Sequence, residues 1–190
     1  VGPGLARAVV CVSLSGGGDS MVITRLLVHM QRSGALAKLL AAQHRALTAA
    51  AGPMELDVVV AAVHINYRNR PEADAEARYV ERWCAGLGVR CFVRVVDEVR
   101  RGKTARDEYE RRSRAIRFDF YREVLDSLLP NLEDRPSPCY AEEEGGVGVI
   151  LGHHKGDVQE NVVSNVMKGS RLAELSGMQP VGLSGGGVAV

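Results

Sequence analysis

Near its N-terminus the chain reads Ala8-Val9-Val10-Cys11-Val12-Ser13-Leu14-Ser15-Gly16-Gly17-Gly18-Asp19-Ser20. The apolar first half is typical of a buried strand, and the three glycines allow a tight turn. The apolar-periodic run that begins at Met21 predicts a helix. A strand, a glycine turn and a helix in this order favour the binding of an anion such as phosphate. The free N–H groups and the positive dipole end of the helix would face it.

The glycine loop differs from two common nucleotide-binding loops. A Walker loop ends in Lys followed by Ser or Thr, whereas Asp19 and Ser20 stand there; the glycine spacing of a dinucleotide fingerprint is also missing. A carboxylate beside the phosphate suits a bridging Mg²⁺. The alternative is a plain glycine turn in which Asp19 only starts the helix. The loop resembles the S-G-G-x-D-S pyrophosphate loop of ATP pyrophosphatases, which attack ATP at the α-phosphate.

Valine-rich runs alternate with helical patterns along the chain. We expect strands at residues 9–14, 58–65, 90–96 and 147–151, the third nearer an edge because its polarity alternates more. We expect helices at residues 20–32, 72–87, 104–129 and 157–168. The alternation predicts an α/β fold, a doubly wound and mainly parallel five-stranded sheet with helices on both faces.

Length and composition predict one domain over residues 1–190. A chain of 190 residues with 46% hydrophobic residues can bury a normal core. Residues 33–55 and 130–146 look inserted: the first could extend or follow the first helix, and the second, rich in Pro and acidic residues, is expected to be a solvated loop. Thr104 and Asp107 form a capping-box pattern ahead of the third predicted helix. Its buried stripe is expected to be Ile116, Phe120 and Val124.

Several classes of function are disfavoured by composition. A net charge of +1 gives no strong signature of nucleic-acid binding. No apolar run approaches the ~20 residues of a membrane helix. The four cysteines lack C-x-x-C spacing, which speaks against a metal cluster and suggests a reducing compartment.

A second candidate site follows the predicted strand at residues 147–151. His153, Asp157 and Glu160 are spaced by four and three, so on a helical turn they share a face. Such a group can hold Mg²⁺ and move protons; the alternative is an ordinary helix-start acid beside loop histidines. Because ligands bind past the carboxyl ends of parallel strands, residues 15–20, 64–66 and 152–157 are expected at one rim.

Four ordered blocks carry a resemblance from about Val9 to Met178. Residues 15–20 match the loop, and residues 63–72 resemble a V-H-V-D/N-H-G-L-R-P-E block. Residues 113–118 resemble an A-R-x-x-R-Y helix, and residues 152–161, with later elements at 168–170 and 175–178, resemble an H-H-x-D-D-Q-x-E-T helix. Together they are similar to the N-terminal ATP-binding domain of the tRNA(Ile)-lysidine synthetases, within the pyrophosphate-loop family.

The resemblance implies an adenine nucleotide alpha hydrolase-like fold and a ligase that uses ATP and Mg²⁺. The wobble cytidine of an isoleucine tRNA with a CAU anticodon attacks the α-phosphate of ATP, and free L-lysine then displaces AMP. The implied catalytic residues are Asp19, Arg114, His153, Asp157 and Glu160. The implied nucleotide-binding residues are Ser15, Gly16, Gly17, Gly18, Asp19, Ser20, His64 and Asn66, with Asp19 and Asp157 on the metal. For Arg114 and Arg117 the alternative is a solvated helix face.

The resemblance also implies C-terminal tRNA-binding domains beyond the chain, so the fragment is expected to bind ATP but modify tRNA poorly. The expected location is a bacterial cytoplasm or an organelle such as a mitochondrion or plastid, with no membrane partner; a homodimer is compatible. Gly156 stands where the family has the first acid of its D-D pair. Two alternatives therefore stay open: a related enzyme that thiolates or amidates another acceptor, and a non-catalytic ATP-binding scaffold.

Overall fold

The computed structural model describes residues 6–48, 55–128, 147–153, 155–167, 183–184 and 188–189. The elements in chain order are β1 (Ala6–Ser13), α1 (Gly18–Arg32), α2 (Ala35–Thr48), β2 (Leu56–Asn66), α3 (Ala73–Leu87), β3 (Arg90–Val95), α4 (Arg106–Leu128), β4 (Val147–Leu151), α5 (Lys155–Met167), β5 (Leu183–Ser184) and β6 (Val188–Ala189). Strands and helices alternate as the apolar runs predict, so the α/β class is confirmed.

The strands form one sheet in the order β3-β2-β1-β4-β6-β5. All neighbours are parallel except β5 and β6. The predicted edge position of β3 is confirmed. The count of five strands is wrong: the described residues form four strands of at least five residues and two of two residues each. Two-residue strands are too short to produce a readable apolar run.

Alternating side chains of the central strands fill two cores. One core lies against α1, α2 and α3 and contains Ala8, Val28, Leu36, Val58, Val60, Ala62, Val80 and Cys84. The other lies against α4 and contains Val9, Cys11, Ala61, Val63, Tyr121, Val124, Leu125 and Val149. Consecutive residues of β1 and β2 enter opposite cores, as the two-residue period of a strand requires. The sheet is therefore covered by helices on both faces.

Helix α4 differs from the sequence expectation at its start and on its buried face. It begins at Arg106, and the Thr104 hydroxyl accepts the Arg100 N–H at 3.2 Å, so this hydroxyl closes the preceding turn. The buried residues are Ser113, Tyr121, Val124 and Leu125, whereas Ile116 and Phe120 are only half-buried. The stripe is rotated because the Tyr121 hydroxyl donates to the Ser13 hydroxyl at 2.6 Å, which turns Tyr121 toward the sheet.

The two stretches that look inserted have different outcomes. Residues 33–55 contain α2, which follows α1 after a turn at Gly34 (φ +70°). Residues 130–146 lie outside the described residues, as do the late elements at 168–170 and 175–178. Within the described part of the chain, no helix is long and apolar enough to cross a membrane.

Candidate active site

The strand order reverses between β1 and β4. From β1 the chain continues to β2 and β3 on one side, and it later returns to β4 on the other side. Ligands of doubly wound sheets bind beyond the carboxyl ends of the strands at such a reversal. Ser13 and Leu151 are register partners at these two ends. The glycine loop and the segment that begins at Gly152 therefore leave the sheet side by side.

Gly152 brings these two segments into contact. A Cβ at position 152 would lie 2.9 Å from the Ser20 Cα, 3.0 Å from its Cβ and 3.0 Å from its backbone nitrogen. No side chain fits there unless the first turn of α1 moves. The sequence argument placed both segments at one rim, but it gave Gly152 no role. Its close approach to Ser20 makes the two candidate segments parts of one site.

Hydrogen bonds within the glycine loop hold it in a compact turn. The Gly17 N–H donates to the Ser15 hydroxyl at 3.2 Å, and the Ser20 hydroxyl donates to the Gly17 carbonyl at 3.0 Å. Gly16 has φ +88°, a backbone conformation that is strained for any residue with a side chain. Gly17 is the N-cap of α1 and, as a glycine, makes no side-chain capping hydrogen bond. The first turn of α1 has amides without intrahelical partners, and such amides are suited to bind an anion.

Acidic side chains stand in the first turns of both helices at the crevice. Asp19 is exposed in α1, and Asp157 is half-buried in α5. Glu160 follows Asp157 by three residues, so the two carboxylates share a face of α5. The expectation that His153 shares this helical face is wrong. It is exposed and precedes the helix, because β4 ends at Leu151 and α5 begins only at Lys155.

His64 and Asn66 lie within the last residues of β2, which ends one residue later than the predicted strand, and both are buried. The His64 Nδ1 donates to the Leu14 carbonyl at 2.8 Å, which ties β2 to the start of the glycine loop. The Asn66 side-chain amide donates to an Asp74 carboxylate oxygen at 2.7 Å. These contacts support the loops at the rim. Nucleotide binding by His64 and Asn66 stays a prediction.

The N-terminal half of α4 reaches the same rim. Arg114 is exposed and its guanidinium lies 4.8 Å from the centre of the Phe118 ring. Arg117 contacts the hydroxyl of Tyr67, the first residue after β2. Burial raises the pKa of the Tyr67 hydroxyl, and the neighbouring Arg117 partly offsets this effect. Tyr67 and Arg117 were not among the predicted site residues, although the spacing Arg117–Tyr121–Leu125 marks one helix face.

Comparisons with known proteins agree with this geometry. A family model for a PP-loop domain matches residues 4–129, more than half of the chain. The chain belongs to the PP-loop family. This membership confirms the predicted fold class and the prediction that the chain uses ATP. Its binding at the glycine loop stays a prediction.

Two similar curated proteins carry the same name and have low identity to this PP-loop chain. The tRNA(Ile)-lysidine synthase of Streptococcus gordonii is 28% identical over 178 residues, which cover 94% of this chain and 31% of the relative. The enzyme of the same name from Streptococcus sanguinis is 26% identical and covers 90% of this chain and 30% of the relative. The PP-loop chain thus spans about a third of the length of these relatives.

A U34-tRNA thiolase from Methanococcus maripaludis is a similar solved structure. It has a TM-score of 0.49 and 16% sequence identity, and the match covers 90% of this chain and 46% of the thiolase chain. The likeness is too low to support an argument about function.

The donor set of the PP-loop site suits Mg²⁺ held together with a nucleotide. Among the described residues, no group of three His, Cys, Asp or Glu side chains could hold a metal by itself. Mg²⁺ is usually bound through one or two carboxylates plus substrate phosphates and waters. Asp19 and Asp157, on two helices joined by the Gly152–Ser20 contact, provide this limited set. In kind and number the two carboxylates suit Mg²⁺, and binding of the ion by Asp19 and Asp157 stays a prediction.

Proposed function

We propose that this chain is the ATP-using unit of a tRNA(Ile)-lysidine synthase. The contact between Gly152 and Ser20 carries the proposal, because it joins the glycine loop to the acidic start of α5 at the sheet reversal. The names of the relatives supply the reaction and the acceptor. Since the chain covers about a third of those relatives, the whole activity is inferred for the longer protein.

In the first proposed step, the C2 carbonyl oxygen of the wobble cytidine attacks the α-phosphorus of ATP, and pyrophosphate leaves. The base is then activated at C2, and AMP can later depart with that oxygen. The loop amides and the N-terminus of α1 hold the phosphates. Arg114, exposed on α4, is proposed to neutralise the charge that develops on the transferring phosphoryl group. Bound through Asp19 and Asp157, Mg²⁺ would add further charge neutralisation. Such stabilisation by one preorganised group contributes about 10²- to 10³-fold in rate.

In the second proposed step, the amine of free L-lysine displaces AMP from the activated base. Lysine is cationic at neutral pH and must lose a proton before its amine attacks. Glu160 and Asp157, on one face of α5, are suited to pair with the ammonium groups and to accept that proton. His153 stands at the entrance of the same helix and offers a second base.

The remaining expectations stay part of the proposal. Further domains that bind the isoleucine tRNA with its CAU anticodon, a bacterial cytoplasmic or organellar location, and a homodimer fit the resemblance. Each can be examined in the longer protein.

Product analysis tests the proposal directly. The protein is incubated with ATP, Mg²⁺, lysine and isoleucine tRNA, and the tRNA is digested to nucleosides for mass spectrometry. We expect lysidine, and its formation should require both ATP and lysine. Unmodified cytidine after incubation with folded, full-length protein would contradict the proposal. Replacing lysine by a thiol source or ammonia separates it from thiolation and amidation.

One observation favours a second candidate, a non-catalytic ATP-binding scaffold. Gly156, exposed in the first turn of α5, supplies no carboxylate where the resembled family has an acid. A scaffold would bind ATP without releasing pyrophosphate in the presence of any acceptor. Restoring the acid with Gly156→Asp would then be expected to create or raise pyrophosphate release. An already active enzyme would change much less.

A further inference from the structure

A shallow cationic cleft lies beside the candidate site, beyond the carboxyl ends of β2 and β3. It has a volume of about 270 Å³ and is lined by Tyr67, Arg68, Asn69, Val96, Asp97, Arg100, Arg101 and Lys103. We name it the β2–β3 cleft. Pockets that enclose small ligands usually hold about 300 to 1,000 Å³ and are mostly apolar. The β2–β3 cleft is smaller and lined by charged side chains. These properties suit an extended polymer that lies across the cleft better than an enclosed small ligand.

Within the described part of the chain, three cations of the β2–β3 cleft have no acidic partner. The side chains of Arg100, Arg101 and Lys103 are exposed and take part in no ion pair among the described residues. Arg68 is different, because Asp74 and Asp97 hold its guanidinium at 3.0 Å and 3.1 Å. The only lining carboxylate, Asp97, is therefore already paired. Three positive charges remain to attract an anion.

The walls of the β2–β3 cleft are held in place before any ligand binds. On one side, Arg68 has the left-handed φ of +47°, and its N–H donates to the Asn66 side-chain oxygen at 2.9 Å. On the other side, the Lys103 and Thr104 N–H groups both donate to the Arg100 carbonyl. Strained, fixed backbone of this kind concentrates at binding sites. The cations consequently project from a rigid turn.

A half-buried aromatic residue also lines the β2–β3 cleft. Tyr67 lines it, and its hydroxyl is held by Arg117 from α4. A fixed aromatic ring beside unpaired cations is the combination used to bind single-stranded nucleic acid: bases stack on the ring and phosphates pair with the cations. A small anion such as free phosphate would need the cations but not the ring.

The position of the β2–β3 cleft relates it to the reaction site. Neighbouring strands lie about 4.8 Å apart, so β2 and β3 are one and two strand spacings from β1. The glycine loop leaves β1 at the same edge, between this cleft and the α5 turn. An RNA strand lying over the cleft would therefore lead toward the nucleotide held on the loop.

We infer that the β2–β3 cleft is a docking site for single-stranded RNA, with phosphates on Arg100, Arg101 and Lys103 and a base on Tyr67. The inference rests on the proposed function, in which an RNA base must reach ATP. It assigns that RNA a place on this domain, although the net charge of +1 argues against strong attraction from the chain as a whole.

Binding of a fluorescein-labelled RNA hairpin with a CAU loop, followed by anisotropy, tests the charges. The variant carries Arg100→Gln, Arg101→Gln and Lys103→Gln. The control carries Lys38→Gln, Arg45→Gln and Arg82→Gln, which remove three exposed cations from α2 and α3. Removing three phosphate contacts should lower the slope of log affinity against log salt by about 2, since each contributes about 0.7 on a single strand. The control should keep the wild-type slope. Equal slopes for the two triple variants would overturn the inference.

A pair of variants at Tyr67 tests stacking separately. Tyr67→Phe keeps the ring and loses the hydroxyl contact with Arg117, whereas Tyr67→Leu loses the ring. Because stacking of one base contributes about 1–3 kcal/mol, Tyr67→Leu should weaken RNA binding about 5- to 150-fold with an unchanged salt slope. Tyr67→Phe should bind almost as well as the wild type. Equal RNA affinities of the two variants would mean that no base stacks on Tyr67, which would contradict the inference.

ATP binding and pyrophosphate release distinguish this inference from the proposed function. The cleft variants should keep the wild-type dissociation constant for ATP. A loss of ATP affinity with unchanged RNA affinity would assign the cleft to the nucleotide and overturn the inference. If the wild type binds RNA through the cleft but releases no pyrophosphate, the inference holds and the proposed function fails. Circular dichroism confirms that each variant is folded.

Discussion

Gly152 and Ser20 are in backbone contact: a Cβ on residue 152 would fall 2.9 Å from the Ser20 Cα. The contact joins the end of β4 to the first turn of α1. Because Ser20 also bonds to the Gly17 carbonyl, a displacement at position 152 is transmitted to the glycine loop. This single close approach couples packing of the sheet edge to the shape of the nucleotide site.

Gly152→Ala should therefore lower both stability and ATP affinity. Overpacking of this kind costs about 1–3 kcal/mol, and we expect a lower midpoint in urea unfolding. Gly86→Ala in α3 is the matched control, because an added Cβ there meets nothing within 4 Å. It should raise stability by about 0.5–1 kcal/mol. If both variants unfold at the wild-type midpoint, Gly152 is not closely packed.

Asp19→Asn should separate a metal-binding role from a helix-start role. We expect folded protein whose pyrophosphate release falls about 10²- to 10³-fold, as when one charge-stabilising group is removed. Removal of Mg²⁺ with a chelator should give a similar loss in the wild type. The control is Asp107→Asn, another exposed acid in a first helical turn. Each change should lower stability by about 0.3–1 kcal/mol through the helix dipole. If Asp19→Asn released pyrophosphate at the wild-type rate, Asp19 would act only by stabilising the helix dipole of α1.

Arg114→Gln should slow pyrophosphate release by about 10²-fold with little change in stability. The guanidinium is exposed, and among the described residues its ring contact is with Phe118, so little loss of stability is expected. Arg111→Gln, an exposed arginine on the same helix, is the control and should keep wild-type rates. Equal rates for the two variants in single-turnover measurements would place Arg114 on a solvated helix face.

Tyr121 and Ser13 should be energetically coupled. Their hydroxyl groups bond at 2.6 Å between α4 and the end of β1. In a double-mutant cycle of Tyr121→Phe and Ser13→Ala, measured by urea unfolding, we expect a coupling energy of about 0.5–1.5 kcal/mol. Additivity within about 0.3 kcal/mol would mean that α4 is held by its apolar contacts alone.

The buried Cys11 thiol should make the fold sensitive to alkali. Burial raises the pKa of Cys11 from 9.0 to about 12. The thiol of the unfolded chain therefore ionises first: stability is fully present below pH 9 and is lost as the pH rises toward 12. The loss approaches about 1.4 kcal/mol per pH unit. Cys11→Val should reduce this dependence between pH 9 and 10 relative to wild type. Parallel curves for the two proteins would contradict the buried, neutral thiol.

Local sequence patterns predicted the framework well. The apolar runs gave the four long strands, and the glycine loop was placed correctly because strand, turn and helix are adjacent in the sequence. The strand at 90–96 was placed at an edge from its alternating polarity, and β3 is an edge strand. These features depend on neighbouring residues alone.

The features that were not predicted from the sequence depend on contacts between residues that are far apart along the chain. The role of Gly152 depends on Ser20, which is far away in the sequence. The rotation of α4 depends on the Tyr121–Ser13 bond, and the burial of His64 depends on the Leu14 carbonyl. The β2–β3 cleft combines residues that follow two different strands. In the sequence its charged residues look like an ordinary solvated surface, and only the fold shows that they lie beside Tyr67.

The most direct test uses ATP with a radioactive α-phosphate. The protein is incubated with this ATP, Mg²⁺ and isoleucine tRNA, with or without lysine, and the labelled products are identified. With lysine present, attack at the α-phosphorus predicts labelled AMP and an equal amount of pyrophosphate. When lysine is withheld, the label should stay on the tRNA. Asp19→Asn should suppress all three products. Labelled ADP with free orthophosphate would show cleavage at the γ-phosphate and would contradict the assignment of this site to adenylation.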